Sequence, residues 1–507
     1  MFQDLSVYAF ACVVAVGGLT AAGGPVQAEM GAAATAPAVV PFDFDGDGYA
    51  DLAVGAQGED VGSIRDAGIV QVLYGSAAGP TARDQIWQQN TKGIKGRAET
   101  GDQFGQVTAS GDFDGDGYAD LAIGIPVEDL GGEPNVGAVQ VLYGSARGLT
   151  ARDQLWHQGK AGVPGANEAG DLFGMTLGAG DFDGDGRADL SIGVLGERFA
   201  DSSSLGRFVV LRGSSSGLTA AGVQSWNPVS LYTTRSDEWT SQVVGDFNDD
   251  GRDDLALVPY DMESNAMLVL PGSPTGLTST GIQVLPGSEV GLREPFGGYG
   301  LRGTSGDFNA DGLDDLSMVS GDPDRRGART LVVLTATPDG FVAATAQLWH
   351  LHGGVPVLAD PNESFVPQQH CSEFGLFGIA AGDLSGDGAA DLAVSSQRSD
   401  GASAWDTCPQ TGDEVYLLLG SAGGLTATDL TLTGDREGAQ LHVLGSRGPA
   451  AWLSVGRASD VGSVFAAGEV TVVPGATQGV APAQGQEWNQ NSPGIKGAAE
   501  AKDLWGG

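Results

Sequence analysis

The sequence predicts an all-β protein: a seven-bladed β-propeller of four-stranded antiparallel blades, closed by its N- and C-terminal segments. Three observations lead there. An acidic pattern, Asp43-Phe44-Asp45-Gly46-Asp47-Gly48-Tyr49-Ala50-Asp51-Leu52, returns from Asp112, Asp181, Asp246, Asp307 and Asp383. Its spacings of 69, 69, 65, 61 and 76 residues suit four short strands with turns and exceed the period of helical solenoids. Finally, 83 Gly and 23 Pro in 507 residues accompany a hydrophobic fraction of 41%, which describes a turn-rich chain that still buries a core.

Each period supplies its strands in the same order. Before the acidic loop stands a run of small residues, such as Gly105 to Gly111 or Gly174 to Gly180; these suit strand A, which crowds the central axis. After the loop comes a short apolar run closed by Gly (Leu52 to Gly55, Leu121 to Gly124, Leu190 to Gly193), too short for a helix and therefore strand B. Strand C is the Val- and Leu-rich stretch from Gly68 to Gly75, Gly137 to Gly144, Gly206 to Gly213 and Glu414 to Gly420. Strand D carries Trp87, Trp156, Trp226, Trp349 or Trp488 among polar neighbours, the composition of an outer, half-exposed strand.

A seventh period lies in the tail without its acids. Leu453 to Ser463 tracks Leu52 to Ser63 and Gly468 to Gly475 supplies strand C, while the expected ligand positions fall on Leu444, Ser446, Gly448 and Trp452. Trp488 to Gly497 repeats Trp87 to Gly96, so Trp505-Gly506 lands where Phe104-Gly105 opens blade 2. The C-terminus is therefore expected to bring blade 1 its opening and close the ring, removing two exposed sheet edges. The expected organisation is a signal peptide over 1–28 and one propeller over 29–507, with the metal-free seventh blade at about 436–507.

Phe104-Gly105, Phe173-Gly174 and Tyr299-Gly300, together with Val54-Gly55-Ala56-Gln57 and Ile123-Gly124-Ile125-Pro126, resemble the FG-GAP repeats of the integrin α-subunit β-propeller and its bacterial relatives. The resemblance covers essentially all of the chain beyond the leader and implies seven blades with calcium in the A–B loops. Blade 4 departs from it with Trp239-Thr240, and blade 6 with Phe374-Gly375-Leu376-Phe377-Gly378.

The loop spacing itself points to a hard cation. Carboxylates at positions 1, 3, 5 and 9, a backbone carbonyl at 7 and Gly at 6 make a flexible oxygen cage that suits Ca²⁺ better than octahedral Mg²⁺. The expected donors in blades 1 to 3 are Asp43, Asp45, Asp47, the Tyr49 carbonyl and Asp51; Asp112, Asp114, Asp116, Tyr118 and Asp120; and Asp181, Asp183, Asp185, Arg187 and Asp189. In blades 4 to 6 they are Asp246, Asn248, Asp250, Arg252 and Asp254; Asp307, Asn309, Asp311, Leu313 and Asp315; and Asp383, Ser385, Asp387, Ala389 and Asp391. One such loop reads equally well as a solvated turn; six in one register favour about six structural Ca²⁺ ions. Position 3 is uncharged in the last three, which are therefore expected to bind more weakly. The donor positions of these loops account for 21 of the 64 acidic residues.

The net charge of −39 repels phosphate backbones and anionic lipid, so nucleic-acid and membrane-surface partners are not expected. Leu5 to Val16 and Val26-Gln27-Ala28 read as a secretory leader, although Met1 to Asp4 lacks the usual basic residue. No later stretch is long enough to span a bilayer. A secreted, monomeric protein is expected, in which Cys371 and Cys408 pair as a disulfide. Gly213-Ser214-Ser215-Ser216-Gly217 mimics a nucleophile elbow and Gly298 to Gly303 a dinucleotide fingerprint, but both sit at repeat positions of turns or strands. His350 and His352 read as a surface strand pair rather than metal ligands. With no catalytic constellation, the sequence favours a binding or adhesion module for protein or glycan. The alternative is an extracellular hydrolase or lyase acting on polysaccharide or phosphodiester. The lead-in to blade 6 from Val355 to Ser372, with His370, Trp405 and Cys408, is the expected recognition patch.

Overall fold

The computed structural model describes residues 39–507 apart from 199–204, 228–230, 232–238, 260–265, 291–301, 322–328, 353–354, 359–371, 399–412, 435–439, 446–450, 458–467, 500–504 and 506–507. Within them the chain forms seven antiparallel sheets in a ring, together with two single 3₁₀ turns, Ala343–Thr345 and Pro482–Gln484. No helix of the described residues is long and apolar enough to cross a membrane. Blade 2 shows the plan: strands A (Val107–Gly111), B (Asp120–Ile125), C (Ala138–Leu142) and D (Asp153–Trp156) pair in sequence order. Strand B is buried along its whole length because both faces are covered by neighbouring blades, which is why its sequence is a continuous apolar run rather than an alternating one.

The core is distributed around the ring as seven clusters of buried residues, each filling one seam. Phe44, Tyr74, Trp87, Phe104, Leu121 and Ile123 join blades 1 and 2; Leu52, Ile69, Leu444, Val472 and Trp505 join blade 7 to blade 1. The five seams between them are filled in the same manner. In every acidic loop the residue at position 2 (Phe44, Phe113, Phe182, Phe247, Phe308, Leu384) is at most 1% exposed. Each such ring anchors its hydrophilic loop with roughly 1.5–3 kcal/mol of burial.

Blade-to-blade registration is carried by a repeating backbone bond. The carbonyl of the loop's first residue accepts from the residue at position 8 of the next blade: Ala119 N to Asp43 O, Ala188 to Asp112, Asp253 to Asp181, Asp314 to Asp246, Ala390 to Asp307 and Ala451 to Asp383, all at 2.7–3.2 Å. The seventh bond runs from Ala50 N to Gly445 O at 3.0 Å and shuts the belt. The C-terminal segment completes the closure. Trp505 is fully buried and donates from Nε1 to Gln71 Oε1 at 3.0 Å; Lys496 Nζ pairs with Asp84 at 2.8 Å, as Lys95 pairs with Asp153 one blade on. Gly68, Gly137 and Gly468 have φ of +79°, +83° and +88°, and a Cβ there would lie 2.3–2.4 Å from backbone atoms of Phe104, Phe173 and Trp505. Only glycine lets those segments dock.

Four expectations change. Trp87, Trp156 and Trp349 are 4–6% exposed, turned by strand D into the next seam, while Trp226 and Trp488 are half-buried as expected. Val355–Leu358, expected within a loop leading to blade 6, pairs with Gln347–His352 as a fifth strand of blade 5. Blade 1 has three strands among the described residues, because its innermost segment is the pre-loop stretch ending at Phe42, whose N–H is held by Ser110 Oγ of blade 2. In blade 7, Leu444 pairs with Trp452 as Gly111 pairs with Asp120. Gly445, not Leu444, therefore stands at the first loop position, and the loop is one residue shorter. Cys371, Cys408, His370, Trp405 and the leader lie outside the described residues.

Candidate metal centres

The acidic loops fold alike because the first aspartate organises the turn. In blade 1, Asp43 accepts from Asp47 N at 3.1 Å and Gly48 N at 2.9 Å. The bond from the position-6 N–H recurs from Gly117, Gly186, Gly251, Gly312 and Gly388 at 2.8–3.0 Å. Position 4 lies in the left-handed region throughout: Gly46, Gly115, Gly184 and Gly386 adopt it freely, whereas Asp249 and Ala310 are held there at φ of +57° and +56°.

The ninth residue ties the loop to its own blade. Asp51 accepts from Phe44 N at 2.9 Å and Gly75 N at 2.7 Å, and Asp120 from Phe113 N and Gly144 N, both at 2.9 Å. Asp189, Asp254, Asp315 and Asp391 likewise each receive the N–H that follows strand C. All six are at most 2% exposed. Burial first, then the neighbouring loop carboxylates, pushes Asp51 and Asp120 up to about 8, Asp189, Asp254 and Asp315 to about 7, and Asp391 to about 6.

The carboxylate oxygens of Asp43, Asp45 and Asp47 lie within 4.8 Å of one another, as do those of Asp112, Asp114 and Asp116 and of Asp181, Asp183 and Asp185. Several buried oxygens at the donor positions have no hydrogen-bond partner: Asp45 Oδ1, Asp189 Oδ2, Asn248 Oδ1 and Ser385 Oγ. Crowded like charges combined with unpartnered buried oxygens form the kind of donor set a hard cation takes. The donor set therefore fits a divalent ion. The carbonyl donors expected at Tyr49, Tyr118, Arg187, Arg252, Leu313 and Ala389 sit at position 7, where each N–H bonds the position-5 carboxylate at 3.0–3.1 Å.

One feature escaped sequence reasoning. Arg83, Arg152 and Arg212 pair with Asp45, Asp114 and Asp183, the acids at position 3 in the three loops that have one. The first two guanidinium groups stack 3.9 Å over Tyr74 and Tyr143, whose hydroxyls accept from the Leu149 and Leu218 N–H groups of the following blade. Arg83 and Arg152 directly precede strand D, whereas Arg212 is the last residue of strand C; the loops with Asn248, Asn309 and Ser385 have Pro271, Thr335 and Leu419 at the place of Arg212. The extra charge expected in loops 1 to 3 is thus offset by a guanidinium. The signal was present in the co-occurrence of Asp at position 3 with a basic residue at or beyond the end of strand C.

The elbow look-alike is a turn between two antiparallel strands, Leu205–Arg212 and Thr219–Trp226, in which Ser214, beside the central Ser215, donates from Oγ to Gly217 O at 2.6 Å. His350 faces Thr330 Oγ1 at 3.3 Å on an outer strand of blade 5.

A family model described as FG-GAP repeat matches residues 35–73, 104–142 and 173–211. The phosphatidylinositol-glycan-specific phospholipase D of Bos taurus is 30% identical over 315 residues, 59% of this chain and 34% of that protein. Integrin alpha-PS2 of Drosophila melanogaster is 34% identical over 158 residues, 30% of this chain and 11% of the integrin. Integrin alpha-V of Gallus gallus is 34% identical over 165 residues, 31% and 14%. The chain spans about a third or less of the length of these relatives. Among solved structures, the exotype rhamnogalacturonan lyase YesX aligns at a TM-score of 0.39 and 14% identity, covering 82% of this chain and 69% of the lyase. The chain carries FG-GAP repeats and is similar in them to integrin α subunits and to the phospholipase.

Proposed function

We propose that this protein is an exported FG-GAP propeller stabilised by Ca²⁺ in its A–B loops, acting as a non-catalytic binding module for protein or glycan. The observation that carries the reading is the position of the cages. Each loop that would hold a cation is also the loop whose first carbonyl bonds the next blade, so an ion there braces a seam. About six ions would bring the formal charge of −39 to roughly −27 and relieve the repulsion among buried carboxylates. The donors are Asp43, Asp45, Asp47, Tyr49 and Asp51 in blade 1 and their counterparts around the ring. The carboxylates at positions 1, 5 and 9 are also held by backbone N–H groups, which suits a structural ion rather than a reactive one. The integrin relatives support the binding role.

Binding to a glycan array, and pull-down of proteins from culture fluid, with and without calcium, tests this. Calcium-dependent capture supports it; turnover of a polysaccharide or phospholipid panel by pure protein, abolished by one substitution outside the loops, overturns it. That second outcome is the hydrolase or lyase reading, which the phospholipase relative keeps in view. The chain covers 34% of that enzyme, so its activity does not come with the repeats.

A further inference from the structure

The side chain at position 7 of an A–B loop reaches the loop before it. A Cβ placed on Gly46 would lie 2.7 Å from Tyr118 Cε1, one on Gly115 3.0 Å from Arg187 Nε, and one on Gly184 2.9 Å from Arg252 Cγ. Each of these glycines is position 4 of its loop, at φ of +71° to +73°, and each covering residue is position 7 of the next. Tyr118 thus rests on loop 1, Arg187 on loop 2 and Arg252 on loop 3.

The same three residues belong to their own cages. Their N–H groups bond the position-5 carboxylates of Asp116, Asp185 and Asp250 at 3.0–3.1 Å, and their carbonyls are the expected backbone donors. The two guanidinium groups also pair with Asp185 and Asp250 at 3.1 and 2.9 Å, which lays the arginine stems against the neighbouring glycines. Position 8 adds a second hold. Its N–H bonds the carbonyl of the preceding loop's first residue: Ala119 to Asp43, Ala188 to Asp112 and Asp253 to Asp181, at 2.9–3.1 Å. Two consecutive residues of one loop therefore grip the loop before it at positions 1 and 4, the points that set its turn. The side-chain contact is not built everywhere. Position 7 is Leu313 in loop 5, a member of the buried core, and Ala389 in loop 6, whose side chain is a single methyl. Loop 6 keeps the position-8 bond, Ala390 N to Asp307 O at 2.7 Å, without a long side chain over its neighbour.

We propose that Tyr118, Arg187 and Arg252 couple the cation sites of loops 1 to 4, so that filling one loop raises the affinity of the loop before it. The coupling rests on the calcium reading above, and by linkage it acts equally in both directions. An empty loop has to order positions 1, 4 and 7 before it can ligate. A neighbour already held by its own ion supplies part of that order, and the second ion then loses less to conformational entropy. The three side chains donate no atom to the neighbouring cage; they are positioning residues.

The test follows the backbone amide signals of Gly48 and Gly117 while chelator-stripped, deuterated full-length protein is titrated with calcium. Those N–H groups bond the first aspartates of loops 1 and 2 and report the two loops separately. Asp116→Asn weakens loop 2 yet keeps an acceptor for the Tyr118 N–H. It is expected to raise the calcium midpoint of loop 1 about fivefold or more, the lower end of ordinary coupling between sites. Tyr118→Ala leaves every donor atom of both loops in place. It should raise the loop 1 midpoint similarly and abolish the response to Asp116→Asn, a non-additivity that a merely structural loss does not produce; Tyr118→Phe should behave as wild type. Loops 5 and 6, read at Gly312 and Gly388 with Asp387→Asn, give the baseline for the backbone bond alone. A loop 1 midpoint indifferent to Asp116→Asn, or an equal response with and without the Tyr118 ring, overturns the coupling and leaves the calcium sites standing. Wild-type protein that takes up no calcium overturns the calcium reading and the coupling with it.

Discussion

Replacing Trp505 with alanine tests whether the ring is closed by its C-terminus. The indole is fully buried against Ile69, Leu444 and Val472, and truncating such a side chain costs about 3–5 kcal/mol in lost burial and cavity. Its Nε1 also satisfies Oε1 of Gln71, itself 0% exposed, and orphaning that oxygen adds about 1–3 kcal/mol. A loss of about 4–8 kcal/mol is expected, a large share of the ~5–15 kcal/mol typical of a folded domain. Trp505→Phe restores the residue that Phe104 and Phe173 supply at the equivalent positions, and should lose little beyond the hydrogen bond. Urea unfolding at fixed calcium measures both, and limited proteolysis locates the opening. The alanine variant should be cut first at the two chain ends. Stability within ~0.5 kcal/mol of wild type would show that the blade 7 to blade 1 seam holds without the tail.

Chelation should lower the melting temperature and expose the A–B loops to protease. Each ion present at a hundred times its Kd contributes about 2.7 kcal/mol, and an unchanged melting point in excess chelator refutes structural calcium. In the chelated protein, stability should fall as pH rises. The position-9 aspartates have folded-state pKa values of about 6 to 8, above the unfolded value, so the native state binds more protons between pH 4 and 8 and its advantage is lost across that window. Melting curves from pH 4 to 8 in chelator check the sign; with calcium bound the trend should reverse. Ala310→Gly should stabilise blade 5 by up to about 1 kcal/mol, since Ala310 is held at φ +56° where glycine carries no Cβ penalty. Urea midpoints decide it, and a lower midpoint refutes the strain.

The period of the chain was legible because each repeat carries a marker, the acidic loop, whose spacing is dictated by oxygen geometry and therefore tolerates little drift. The strand order followed from apolar runs that both neighbouring blades bury. Closure was readable from Trp488 to Gly497 because the tail copies a segment that docks on the next blade. What stayed hidden was relational. Nothing within one repeat shows that strand D turns Trp87 and Trp156 into a seam, since the covering side chains come from the following blade. The shortened loop at Gly445 was misplaced by one residue because, without carboxylates, only the pairing of Leu444 with Trp452 sets its register. The strand Val355–Leu358 does not announce itself in the sequence, because Val-Pro-Val-Leu is four residues long, shows no polar–apolar alternation and contains a proline.

The arginine pairs bear on how the loops fill. Loops 1 and 2 offer four carboxylates and one guanidinium, and loops 5 and 6 offer three carboxylates, so each of these carries a net charge of about −3 on the donors; Arg187 and Arg252, paired with Asp185 and Asp250, bring loops 3 and 4 to about −2. Charges this close imply similar affinities, and calcium should load in one macroscopic phase. Arg152→Gln removes the offset at one loop. Its side chain is 45% exposed, so the interaction with a divalent ion is screened and its loss should strengthen binding there by about 1 kcal/mol, several-fold in Kd. Calorimetry should then show one tighter equivalent split from the rest, and that advantage should shrink at high salt. The opposite result is equally readable. Should the variant bind that equivalent more weakly, the guanidinium serves to hold Asp114 in its ligating pose, and the weaker affinity first expected for the loops with Asn248, Asn309 and Ser385 stands.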